Sequence, residues 1–105
     1  MTSETKHFSK LIRNSINEVD ANAEVLLYGS RARGTERKDS DWDVLVLTDY
    51  PVDLTKESKF RDTLYDLELE SGEPISIFIY SKKDWKTKQI ITPFYQNVMN
   101  EAVSL

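Results

Sequence analysis

Ten residues, Arg31 to Ser40, separate a Gly29-Ser30 pair from the triplet Asp41-Trp42-Asp43 in the stretch GSRARGTERKDSDWDVLVL. On extended chain alternate side chains share a face, which puts the two carboxylates about 6.6 Å apart along the backbone. Two unit charges at ~6 Å repel by roughly 3 kcal/mol at an effective dielectric of ~20. A divalent cation removes that penalty, and Mg²⁺ takes one or two carboxylates together with phosphate oxygens and water. Gly29 lets backbone N–H groups approach an anion, while the Ser30 hydroxyl and the Arg31 and Arg33 guanidinium groups add charge-assisted bonds. The chemistry indicated is phosphate handling, with acids for the metal and bases for a triphosphate. Taken singly, Asp-x-Asp is more often a solvated strand entrance, Gly-Ser is common at strand ends, and RARG reads as a surface loop. The combination at matched parity changes that balance.

Other chemistries are poorly supplied. The chain has 105 residues, one histidine and no cysteine. Thiolate metal sites and disulfides are excluded, and histidine-based zinc or Ser-His-Asp chemistry nearly so. His7 lies on a helical pattern and reads as a surface residue. A net charge of −4 argues against strong sequence-independent binding to nucleic acid, where phosphate neutralisation dominates. No apolar run approaches a membrane span and no signal-peptide core follows Met1, so a cytoplasmic protein without membrane attachment is expected. The length predicts one domain over residues 1–105.

The elements that must position the aspartates follow from periodicity. Phe8, Leu11, Ile12, Ile16 and Val19 form the stripe of an amphipathic helix. EVLLY predicts a short buried strand closed by Gly29, and WDVLVL a strand buried on both faces. RARGTERKDS between them is a polar loop, opening with one helical turn before Gly34. Only about a dozen residues join the two strands, too few for a long crossover helix, so they are expected to pair antiparallel. After TDYPVDL, with Asp53 or Thr55 as a cap, Phe60, Leu64 and Leu67 predict a second helix ending at Ser71-Gly72. ISIFIY is the third strand, and SKKD resembles a capping box that starts a short helix through Trp85. Thr92-Pro93 opens a final helix with Phe94, Val98 and Ala102 on its apolar face. Trp42 is expected in packing, and Tyr65, Tyr80, Trp85, Phe94 and Tyr95 in the core or an interface. The order α-β-β-α-β-α-α predicts an α/β (α+β) domain, a small mixed sheet with helices packed mainly on one side.

GSRARGTERKDSDWDVLVL resembles the signature of the nucleotidyltransferase superfamily related to DNA polymerase β. It is closest to the minimal nucleotidyltransferases, whose pattern is Gly-Ser, ten residues, then Asp-x-Asp; TPFYQNVMNEAVSL resembles their C-terminal helix and tail. The resemblance implies a polymerase β-like fold that binds ATP or another NTP with Mg²⁺ and transfers a nucleoside monophosphate to an acceptor hydroxyl. Asp41 and Asp43 would hold the metal and act in catalysis; Gly29, Ser30, Arg31 and Arg33 would bind the nucleotide. The implied partner is a HEPN-domain toxin, the chain acting as its antitoxin, with the acceptor pocket completed by that partner or by a second copy of the chain. One departure stands out. The family often has a third carboxylate on the next core strand, and here Ser76 holds that position; Glu73 lies nearby but with the wrong parity. Because serine cannot serve as a base at its ordinary pKa, the alternative reading is a weak or inactive nucleotide-binding module that acts by binding a partner.

Overall fold

The computed structural model describes residues 2–105. Helix α1, Ser3–Val19, begins at Thr2, whose hydroxyl accepts the Thr5 N–H at 3.1 Å. Such a cap satisfies a backbone donor that the first turn leaves orphaned. Strand β1, Glu24–Tyr28, runs straight into the five-residue helix α2, Gly29–Arg33, which stops at Gly34. Strand β2 is Trp42–Thr48. Helix α3, Leu54–Ser71, is capped by Asp53, not Thr55, through a 2.8 Å bond from the Lys56 N–H, and ends at Gly72. Strand β3, Ile75–Ser81, leads into helix α4, Lys82–Thr87, capped by the Ser81 hydroxyl. A 3₁₀ turn, Gln89–Ile91, precedes helix α5, Pro93–Glu101, which Thr92 caps with proline at its start.

The four-stranded sheet has the order β3-β2-β1-β4, where β4 is Val103–Ser104. β1 and β2 pair antiparallel, as their short connection requires, and α3 supplies the crossover that lets β3 lie parallel to β2. The sheet is therefore mixed, as expected. One feature differs from the sequence reading. The last helix ends at Glu101; Ala102 is extended, and the chain turns back as β4 to pair with Leu26 and Leu27 of β1. β2 begins at Trp42, as WDVLVL predicts, with Asp41 just ahead of it.

The two long helices cover one face. Phe8, Ile12 and Ile16 of α1 and Phe60, Leu64 and Leu67 of α3 pack on Val25, Leu27, Trp42, Val44, Val46 and Ile77. The opposite face carries a smaller cluster, in which Trp85 and Val98 of the short helices α4 and α5 cover Leu45 and Leu47, with Tyr28, Tyr80, Phe94 and Tyr95 around them. Trp42 is core, 3% exposed, and its ring lies 4.6 Å from that of Phe8. Tyr65 is exposed at 58%, on the outside of α3 and not in the core.

Candidate active site

Six of the seven β2 residues are buried; the exception is Asp43. Apolar side chains on both faces fix this strand in the centre of the sheet, and the one carboxylate among them is aimed by that register. Asp43 pairs with Tyr28 of β1 on one side and Ser76 of β3 on the other. Residues directly opposite in paired strands lie on the same face, so Tyr28, Asp43 and Ser76 form a row across the sheet. Ser76 therefore stands beside Asp43, where a third carboxylate would have stood.

Gly29 follows Tyr28 at the point where β1 becomes α2. Its φ of +75° is one that other residues rarely adopt, and a Cβ added there would lie 2.2 Å from Asp43 Oδ2. Glycine is thus required twice, by the turn and by the carboxylate packed against it. Ser30 comes next, half-buried in the first turn of α2. Gly29 and Asp43, fourteen positions apart in the sequence, are pressed together.

The acids repel one another. Burial holds the Asp43 carboxyl above its ordinary value, the charges of Asp41 and Glu101 push it further, and Arg33 partly opposes them. The Tyr28 phenol is also raised, by burial first and then by Asp43. Asp41 is exposed and close enough to be felt by Asp43. Among the described residues no set of three or more His, Asp or Glu side chains is arranged to hold a metal ion. The pair fits a cation that takes its remaining ligands from phosphate and water, as Mg²⁺ does.

The two arginines part company. Arg33 stays with the site, where its Nη1 donates to Glu101 Oε2 at 2.6 Å, and the same oxygen accepts the Gly29 N–H at 3.2 Å. Arg31 points to the other side of the sheet. Its guanidinium lies 4.5 Å over the Trp42 ring and donates to the Ser40 carbonyl at 3.0 Å and to Glu73 at 3.5 Å. Glu73 also accepts the Trp42 indole N–H at 3.1 Å, so it braces the scaffold face and does not replace the acid missing at Ser76. A cleft of about 980 Å³ opens on that same side, bordered by His7, Phe8, Arg31, Arg37 and Trp42. It does not touch Asp41, Asp43, Gly29 or Ser30, so its size does not make it the centre of the chemistry. Glu101 is the site residue that the sequence reading missed. Its one signal was position, as the only acid of α5.

Several solved structures share this fold. A protein described as a minimal nucleotidyltransferase superposes with a TM-score of 0.64 at 22% identity, over 96% of this chain and 95% of its own. A toxin–antitoxin structure with AMP-PNP gives 0.59 at 18% identity, over 88% and 70%. A mutant of the toxin–antitoxin pair MntA-HpeT gives 0.66 at 14% identity, over 90% and 69%. No curated protein matches the chain. The nucleotidyltransferase domain family matches residues 9–102, nearly the full length and the whole of the Gly-Ser and Asp-x-Asp region. With the Gly29 turn seated against Asp43 in a mixed sheet of this topology, the chain belongs to the nucleotidyltransferase domain family.

Proposed function

We propose that the protein transfers a nucleoside monophosphate, AMP from ATP in the first instance, to a hydroxyl of an acceptor carried by a HEPN-type toxin partner. The observation that carries this reading is the packing of the Asp43 carboxylate against the Gly29 turn, so close that a Cβ at Gly29 would collide with it. Asp41 and Asp43 would hold Mg²⁺, which when bound supplies charge for a phosphoryl oxygen and for the leaving pyrophosphate. Gly29 and Ser30 bind the triphosphate, and Arg33 offsets charge that develops on it. The acceptor oxygen bonds to the α-phosphorus as the bridging P–O bond to pyrophosphate breaks. The hydroxyl proton passes to water, because Ser76 offers no base beside Asp43. Phosphoryl transfer depends mainly on positioning and charge stabilisation, so the step survives without that base at reduced rate. Arg31 acts as a strut that fixes the loop leading to Asp41, not as a phosphate ligand.

The test is incubation with labelled ATP, Mg²⁺ and the product of the neighbouring gene. Label should appear on the partner and vanish in Asp41→Ala and Asp43→Ala. ATP at about 100 times its Kd should also stabilise the fold by about 2.7 kcal/mol, read as a thermal shift. A second reading is favoured by one specific observation, the serine in register with Asp43. On it the protein binds nucleotide and masks its partner by contact alone. Tight partner binding without label transfer, indifferent to the aspartate substitutions, would select it.

A further inference from the structure

Glu101 is the one carboxylate at the site that the transfer reading leaves without a role. Its Oε2 accepts both the Gly29 N–H and an Arg33 N–H. Those are donors that the transfer reading gives to the triphosphate. A backbone N–H carries a single proton, so a phosphate oxygen and Glu101 compete for it directly. The surrounding backbone is fixed on both sides. The Ala102 N–H bonds the Val98 carbonyl at 2.8 Å, and Val103 and Ser104 pair with β1. Only side-chain torsions need turn for the carboxylate to leave, each between staggered wells. Its departure also takes a negative charge away from Asp43, which feels Glu101 as a repulsive neighbour.

We propose that Glu101 is an internal competitor of the triphosphate: its carboxylate holds the Gly29 N–H and the Arg33 guanidinium as a phosphate group would, and its displacement sets nucleotide affinity. The proposal rests on the nucleotide-transfer reading and adds to it the residue that determines how tightly phosphate is held. It differs in sign from a bracing role. Were Glu101 needed to hold Arg33 ready for phosphate, its removal would weaken binding; as a competitor, its removal tightens it.

The experiment is calorimetric titration of the wild type, Glu101→Gln and Glu101→Ala with inorganic triphosphate, and with ATP in the presence of Mg²⁺. Both variants are expected to bind inorganic triphosphate about three- to tenfold more tightly, the span that one partly exposed charged contact covers. Unchanged or weaker binding overturns the proposal. A measurement on the unmodified protein keeps the test independent of how the variants fold. The ¹³C carboxyl resonance of Glu101 should move as inorganic triphosphate saturates the site, and a resonance that stays in place with ligand bound overturns it. If wild type and variants alike bind neither ligand, the nucleotide reading falls and this proposal with it. If the wild type binds and the variants bind no tighter, this proposal alone falls.

Discussion

Gly29 answers to a backbone torsion and to a neighbour at once, which makes it the least replaceable position in the site. In Gly29→Ala the positive φ costs about 1–2 kcal/mol, and the added methyl must also displace the Asp43 carboxylate. The expected result is a melting temperature several degrees lower and loss of label transfer. Asp43 should behave in the opposite way. Its carboxyl binds a proton more tightly in the folded chain than in the unfolded one, so the fold is favoured below the ordinary aspartate range and loses that advantage as pH rises through the raised value. Asp43→Asn is therefore expected to abolish transfer yet melt a few degrees higher at pH 7, the gain disappearing in melts below about pH 3.9. The arginines separate cleanly. Arg31→Ala should lower the melting temperature through lost stacking and carbonyl bonds. Arg33→Ala, whose ion pair is half exposed, should leave stability nearly unchanged and alter nucleotide binding. Spacing made the Gly-Ser turn and the aspartates legible in the sequence. The division of the arginines was also latent there, since residues two apart on a helical turn do not face the same way. Glu101 was not legible, because nothing local to it reports a partner at Gly29.

Helix α5 has a single buried residue, Val98, so its integrity rests largely on its ends. The Thr92 hydroxyl accepts the Tyr95 N–H at 3.1 Å. Thr92→Ala should cost about 1 kcal/mol, a fall of roughly 4–8 °C in melting temperature for a domain of this size. The long helices and the central strands could be read from the chain because each repeats its apolar pattern over several turns or over both faces of a strand. Caps at Thr92 and Ser81 were equally plain, since their residue types and spacing carry a mechanism. β4 was hidden by its brevity. Two residues show no periodicity, and only the register against Leu26 and Leu27 makes them a strand. The start of β2 at Trp42 was readable, because WDVLVL opens the apolar run there.

At the scale of the whole molecule, stability is concentrated between α1, α3 and the sheet. Phe60 is fully buried there, and Phe60→Ala is expected to cost about 3–5 kcal/mol, read as a shift in urea midpoint. That is a large share of the 5–15 kcal/mol that typically holds a domain together. Among the described residues no helix is long and apolar enough to cross a membrane. The sheet divides its duties by side: the face under α1 and α3 carries the main core, while the other presents Tyr28, Asp43 and Ser76 and leaves Phe78 43% exposed. That partition has a consequence for how variation is tolerated. In a library covering every position, changes along the first side, and at Leu45 and Leu47 on the second, should deplete cells of protein, whereas changes at Asp43 should leave abundance intact and silence the phenotype. Within β2 the silent kind of failure would fall on one codon alone, that of Asp43, between neighbours whose loss removes the fold.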